Sequence, residues 1–246
     1  MRITAEPVSP AATRWWSATR RSPARHIVIA AGAEPTRLPI EGIEHLALSD
    51  DFLELEQLPR RIVLVGGGYI GFEFAHIAAR AGASVTMLNR GEQPLAGFDP
   101  DLVALLIERT RALGVDLRLG HEVKAVRKTG EGFEVQAEGP EGRVDIATDL
   151  AIHSGGRKPA LEALDLDAAN IAHENGKLKL DKTFRSTSNP AVYAAGDAAG
   201  GPLPLTPVAA LEARRRSATP PSPTRPRLRT LNRCCHEVSE LSCCAG

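Results

Sequence analysis

From Arg61 onward the apolar residues fall into two alternating textures, short continuous runs and helix-period stretches. Ile62-Val63-Leu64-Val65 is a run of strand length that ends in a glycine turn, an Ala-rich helix follows to about Ala81, and Ser84 to Leu88 is the next strand. A second helix is predicted from Pro100 to about Leu113, ended by Gly114, and leads to a strand at Val115 to Leu119. Three alternating segments, near Glu122 to Arg127, Gly132 to Glu138 and Arg143 to Ala147, are separated by Gly-bearing turns and predict an antiparallel meander, after which Leu150-Ala151-Ile152 returns to the sheet. Upstream, His26 to Ala30 predicts a buried strand stopped by Gly32 and Pro35. A linker over 36–57 carries a short helix that the Ser49 hydroxyl caps, with Phe52, Leu53 and Leu55 partly buried, and Pro59 closes it. Downstream, Ala191 to Asp197 predicts another strand that ends on a polar residue, and Pro207 to Ala213 a helix start.

The two ends have a different texture. Residues 1–24 are rich in Arg, Pro, Ser and Thr without apolar periodicity, which predicts a disordered leader, and 214–246 shift to the same composition, which predicts a flexible tail. Between them the pattern defines an α/β protein: a unit over 58–155 with a parallel sheet and an antiparallel β-meander, and a second unit assembled from 25–57 and 156–213.

Composition narrows the partners. With 43% hydrophobic and 24% charged residues the chain can bury one or two ordinary cores, and a formal net charge of zero gives no electrostatic reason to expect nucleic acid or a membrane surface. No apolar run approaches the roughly 20 residues that cross a bilayer, and the N-terminus lacks a secretory apolar stretch, so the cytoplasm is the expected compartment. All four cysteines, Cys234, Cys235, Cys243 and Cys244, lie in the last stretch, so thiol chemistry is not expected from the main folded body.

The most specific chemistry sits at Gly66-Gly67-Gly68-Tyr69-Ile70-Gly71, a G-x-G-x-x-G pattern directly after a strand and at the start of a helix. Gly66 permits the tight turn, Gly68 lets the backbone approach a pyrophosphate, Gly71 lets helix and strand pack closely, and the helix N-terminus offers free amides and a positive dipole end. A glycine turn without a ligand is the competing reading. Where a free ribose usually meets a carboxylate, Asn89-Arg90 ends the second strand. Arg90 can pair with a 2′-phosphate, which favours NADPH over NADH, although Gly71 is more typical of NAD sites and a solvated arginine is the plain alternative.

Four motifs occur in one order: Ile27 to Pro35, the Gly66 to Gly71 loop, Gly155-Gly156-Arg157-Lys158-Pro159, and Thr187 to Pro190 running into Tyr193-Ala194-Ala195-Gly196-Asp197. Over about residues 25–213 the chain resembles the pyridine nucleotide-disulfide oxidoreductases, the group of glutathione reductase, dihydrolipoamide dehydrogenase and mercuric reductase. The resemblance implies a Rossmann-like NAD(P)-binding domain at 58–155 and a partial FAD-binding domain in 25–57 and 156–213. It implies FAD and NADPH as cofactors, with hydride passing from NADPH to FAD and then to a disulfide or to Hg(II). Asp197, with Gly196, matches the carboxylate that accepts from the flavin's ribityl chain. Thr206, Pro207 and Val208 look like the segment that starts a helix against the flavin's pyrimidine edge, and Gly32, Gly156 and Arg157 belong to cofactor-side motifs. Tyr69 and Glu73 match positions between nicotinamide and flavin, the tyrosine as a movable cover and the glutamate as a polar partner; ordinary packing is the alternative for Tyr69. His76, on the same helix, matches no catalytic role and reads as helix surface or packing.

A complete family member begins with its own glycine loop for the ADP half of FAD, continues with a C-x4-C pair, and ends with an interface domain through which members form homodimers. None of these is found in the sequence, so a truncated or rearranged member is expected, with exposed apolar surface where further domains would pack. A flavin-dependent NAD(P)H reductase without a disulfide centre and an inactive nucleotide-binding module are the alternatives. The ending Leu241-Ser242-Cys243-Cys244-Ala245-Gly246 is similar to the mercuric reductase C-terminus, which implies Cys243 and Cys244 as thiolate ligands of a soft metal ion. A chance or frame-altered tail is the alternative, and a zinc site with His236 and Glu237 a weaker one.

Overall fold

The protein is described by a computed structural model that covers residues 2–4, 13–17, 20–24, 26–201 and 204–217. Strands β1 (Arg2–Thr4), β2 (Thr13–Ser17) and β3 (Arg20–Ala24) pair antiparallel in that order, so strands stand at these positions of the stretch 1–24 that the sequence predicts as a disordered leader, the rest of which lies outside the described residues. The physical cue is local: Thr13, Trp15 and Trp16 are strand formers, and two residues between Ser17 and Arg20 are a hairpin's length, a signal too short to stand out from the Arg- and Pro-rich background.

Two short strands follow, β4 (Ile27–Ile29) and β5 (Ala33–Pro35), then helix α1 (Ser49–Leu53). Ser49 does not cap α1. Leu48 stands at the N-cap, its N–H donates to the Asp51 carboxylate at 2.7 Å, and the Ser49 hydroxyl turns to Asp50. Phe52 alone of the three expected apolar residues is buried, stacked on Phe74, and Leu53 and Leu55 stay exposed.

The central unit alternates β6 (Arg61–Val65), α2 (Tyr69–Arg80), β7 (Ser84–Asn89), α3 (Pro100–Ala112) and β8 (Asp116–Leu119). The meander β9 (Glu122–Thr129), β10 (Gly132–Gly139) and β11 (Gly142–Thr148) follows, and β12 (Leu150–His153) returns to the sheet. The parallel order is β12-β6-β7-β8, so the chain leaves β6 to one side and comes back to its other side. Alternation along β6 assigns the layers: Ile62 and Leu64 pack with Phe72, Ala75, Ala78 and Met87 under the helices, whereas Val63 and Val65 pack with Val126 and Val135 under the meander. Complete burial of side chains such as Leu64 and Met87 stabilises the unit by about 1.5–3 kcal/mol each. Helix α3 starts where Asp99 accepts from the amides of Asp101 and Leu102, with Pro100 at the first helical position.

Beyond β12 come β13 (Arg157–Pro159), paired antiparallel with β5, the hairpin β14 (His173–Glu174) and β15 (Lys177–Leu178), then β16 (Val192–Ala194), paired parallel with β4. A 3-10 turn at Gly196–Ala199 precedes helix α4 (Thr206–Ser217), which runs past the expected stop near Ala213. A second core of Ile27, Ile29, Leu161, Ile171, Val192 and Ala194 holds this side together. Among the described residues no helix is long and apolar enough to cross a membrane.

Candidate functional site

The glycine loop lies where β6 is flanked by β12 and β7, the point at which the strand order reverses. In such sheets ligands bind outside the carboxyl ends of the strands. The loop is held from both neighbours. Gly66 N–H donates to the Leu88 carbonyl at 2.8 Å, the Ser154 hydroxyl donates to the Gly66 carbonyl at 2.7 Å, and Ser154 N–H donates to the Val65 carbonyl at 2.9 Å. Gly66 has φ +117°, and a Cβ there would stand 2.4 Å from the Gly155 Cα. A Cβ on Gly71 would meet the Gly66 carbonyl oxygen at 2.6 Å, the close helix–strand approach its position in the motif implies.

Gly68 is the N-cap of α2, with no side chain bonded across the helix end and no acidic residue in the first turn. The first-turn amides have no intrahelical acceptor, so this end fits an anionic pyrophosphate. Asn89 takes a role that the motif did not announce. Its Oδ1 accepts from Gly67 N–H at 3.1 Å and its Nδ2 donates to the Gly91 carbonyl at 2.7 Å, so the side chain braces the loop instead of reaching for a ribose. Arg90 is exposed beyond it. Glu122 stands within its field: the Lys124 ammonium, donating at 2.5 Å, holds the Glu122 carboxyl below its usual range, and Arg90 adds a smaller pull.

A cleft of about 230 Å³ joins the two units. It brings Gly68, Tyr69 and Ile70 of the loop to Gly156 and Arg157 after β12, and to Asp197 in the 3-10 turn. Tyr69 and Asp197, 128 positions apart in sequence, thus line one cleft. Arg157 donates to the Ala33 carbonyl at 2.6 Å, which ties the segment after Gly32 to the cleft. Gly32 itself (φ +72°) makes its turn outside the lining, its carbonyl accepting from Ala160 N–H. Gly196 (φ +65°) sets the turn that presents Asp197. Glu73 is exposed on α2 and does not line the cleft. Thr206 and Pro207 are exposed, Val208 is half-buried, and none of the three lines it, whereas Pro204 does. Cys243 and Cys244 lie outside the described residues.

Sequence reasoning missed several cleft residues, among them His153, Ser154 and Lys177. His153 is buried, with Nε2 donating to the Thr36 carbonyl at 2.7 Å and Nδ1 accepting from Gly155 N–H at 3.3 Å, the tautomer those two partners require. Ser154 follows it, and Lys177 reaches across from β15 with its stem on Gly200. The adjacency of His153 and Ser154 to the Gly155 motif was a usable signal; Lys177 had none. His76 meets its packing reading: Nε2 is 2.9 Å from the Thr110 hydroxyl, which itself donates to the Leu106 carbonyl, so helices α2 and α3 are clasped. Burial, and then Arg80, lower its pKa.

Strand, glycine loop, helix and switch-point cleft define a dinucleotide-binding α/β protein. Comparison carries this further: the family described as pyridine nucleotide-disulphide oxidoreductase matches residues 7–213, and the chain belongs to that family. It is 39% identical over 187 residues to a glutathione reductase of Burkholderia cepacia, covering 76% of this chain and 40% of that protein. It is 32% identical over 181 residues to a mercuric reductase of Lysinibacillus sphaericus, covering 73% and 33%. Among solved structures, the HOCl-induced flavoprotein disulfide reductase RclA of Escherichia coli superposes with a TM-score of 0.71 at 28% identity, over 83% of this chain and 46% of that one. LpdA of Mycobacterium tuberculosis gives 0.75 at 27%, over 87% and 48%. The chain therefore spans about two fifths of the curated glutathione reductase and about half of these solved structures. The family is FAD-dependent and uses NAD(P)H.

Proposed function

We propose that this chain serves a flavoprotein oxidoreductase of the cytoplasm that takes electrons from NADPH and delivers them to a disulfide or to Hg(II) as substrate. The observation that carries the reading is the cleft in which Tyr69, at the start of the nucleotide-binding helix, faces the same space as Asp197. The nicotinamide, when bound, supplies a hydride that the flavin accepts. The chain's own residues bind and orient. The first-turn amides of α2 would hold the pyrophosphate, Gly68 leaves room for it, Tyr69 would cover the cleft, and Asp197 would accept a hydrogen bond from a hydroxyl of the flavin's ribityl chain. Arg90 supports NADPH, being exposed at the strand end with five donors suited to a phosphate.

NADH is the second reading, favoured by the third glycine of the loop, Gly71, where a Cβ would meet the Gly66 carbonyl oxygen at 2.6 Å. Mercuric ion as acceptor rests on the Cys243-Cys244 ending and on the mercuric reductase relatives. The test is to incubate the full chain with FAD, remove free cofactor, and add NADPH anaerobically while the flavin absorption is recorded. Bleaching is expected, with recovery on Hg(II) or a disulfide identifying the acceptor. A chain that retains no flavin would be a nucleotide-binding module, and flavin reduced without any thiol or metal acceptor would mark a reductase without a disulfide centre.

A further inference from the structure

Helix α4 inverts the usual pattern of burial. Of its side chains described, Leu211 is exposed while the neighbouring Glu212, at 3% exposure, is the buried one. A carboxylate is buried only where hydrogen bonds repay its lost hydration. Here Oε2 accepts from Gly196 N–H at 2.7 Å, the amide directly before Asp197. Gly196 stands at φ +65°, and a Cβ on it would lie 3.4 Å from the Ala209 Cβ, so the helix packs directly on the turn. A Cβ on Gly201 would in turn lie 3.4 Å from Glu212 Oε1, so the second carboxylate oxygen packs beside the glycine that follows the Asp197 turn. The Ala195 amide donates to the Ile29 carbonyl and the Gly200 amide to the Asp197 carbonyl, so the Gly196 amide between them is the one held by Glu212.

We infer that Glu212 is a positioning residue that holds the Gly196–Asp197 turn at the cleft, and so sets where the Asp197 carboxylate meets the flavin; the flavin part of this rests on the function proposed above. Glutamine keeps an acceptor at the same reach, and alanine leaves a buried amide without one.

The test uses the full chain with E212A, E212Q, D197A and the double variant D197A/E212A. Flavin fluorescence quenching reports FAD affinity, and nitrogen-15 NMR reports exchange of the Gly196 amide. E212A is expected to weaken FAD about tenfold and to speed Gly196 exchange about tenfold, as loss of one charge-assisted hydrogen bond requires. E212Q should stay within about threefold of wild type on both, and the double variant should bind FAD no more weakly than D197A, because Glu212 acts through that turn. Unchanged Gly196 exchange in E212A, or losses that multiply in the double variant, would overturn the inference. If the wild-type chain takes up no FAD, the flavin reading falls, and the Gly196 exchange rate still decides whether Glu212 holds the turn.

Discussion

Strand β6 and strand β4 do similar work at the two walls of the cleft, but their surroundings differ. β6 has a parallel neighbour on each edge, helices over one face and a meander over the other, and Ile62 to Val65 are all nearly inaccessible. Among the described residues β4 pairs only with β16, and Val28 at its centre is 49% exposed. A parallel strand is stable when both faces are covered, so β6 is locked in a complete core while β4 leaves Val28 in water; exposed apolar side chains lie on both units, Ile77 on α2 and Leu102 and Leu105 on α3 among them. The site's precision is therefore expected to come from the nucleotide side, with the flavin side more tolerant of change.

Equivalent substitutions on the two sides test this, and the glycines come first. Gly66→Val combines an unfavourable φ with a 2.4 Å clash against Gly155 and should cost about 2–6 kcal/mol, with loss of NADPH binding. Gly32→Ala on the flavin side, at φ +72° with nothing within 4 Å, should cost only about 1–2 kcal/mol. Equal losses in chemical denaturation would erase the contrast. The valines are next. Val63→Thr buries a hydroxyl in a site 1% exposed and should cost about 1–3 kcal/mol, against no more than about 0.5 kcal/mol for Val28→Thr. A large effect at Val28 would mean that this face is covered in solution.

Arg90→Ala should shift the NADPH-to-NADH affinity ratio about tenfold toward NADH, the effect of one exposed phosphate contact. An unchanged ratio would leave Arg90 a solvated side chain. The smallest effect is one of pH. Burial and Arg80 disfavour the charged form of His76 in the fold and lower its pKa from the usual 6.5, so its contribution is complete above that value and is lost as pH falls through the lowered folded pKa. Melting curves from pH 7.5 to 5.5 should therefore fall more steeply for wild type than for His76→Gln. On the flavin side the shifted groups among the described residues are the half-buried Lys158 and the exposed Glu162, which hold each other's charged forms and should leave that window flat.

The legible parts of the molecule were those with a local signature. The βαβ pattern, the meander and the G-x-G-x-x-G loop rest on periodicity and on glycine, and each was found within a few residues of its true limits. The strands at 13–17 and 20–24 were hidden by composition, and Ser49 lost the cap because Asp51 offers a charged acceptor to the Leu48 amide. Asn89 was read as a ligand contact because sequence shows the strand end without the Gly67 amide that the side chain bonds.

By itself the sequence determined the alternation of strand and helix, the place of the dinucleotide loop and the family, because these depend on interactions among near neighbours or on motifs read in order. Only the tertiary structure decided that His153, Lys177 and Asp197 share a cleft with Tyr69, that Asn89 braces the loop, and that Glu212 is the buried side chain of its helix. Those pairings join residues 16 to 128 positions apart, and contacts at that separation exist only once the packed sheets have fixed the distances.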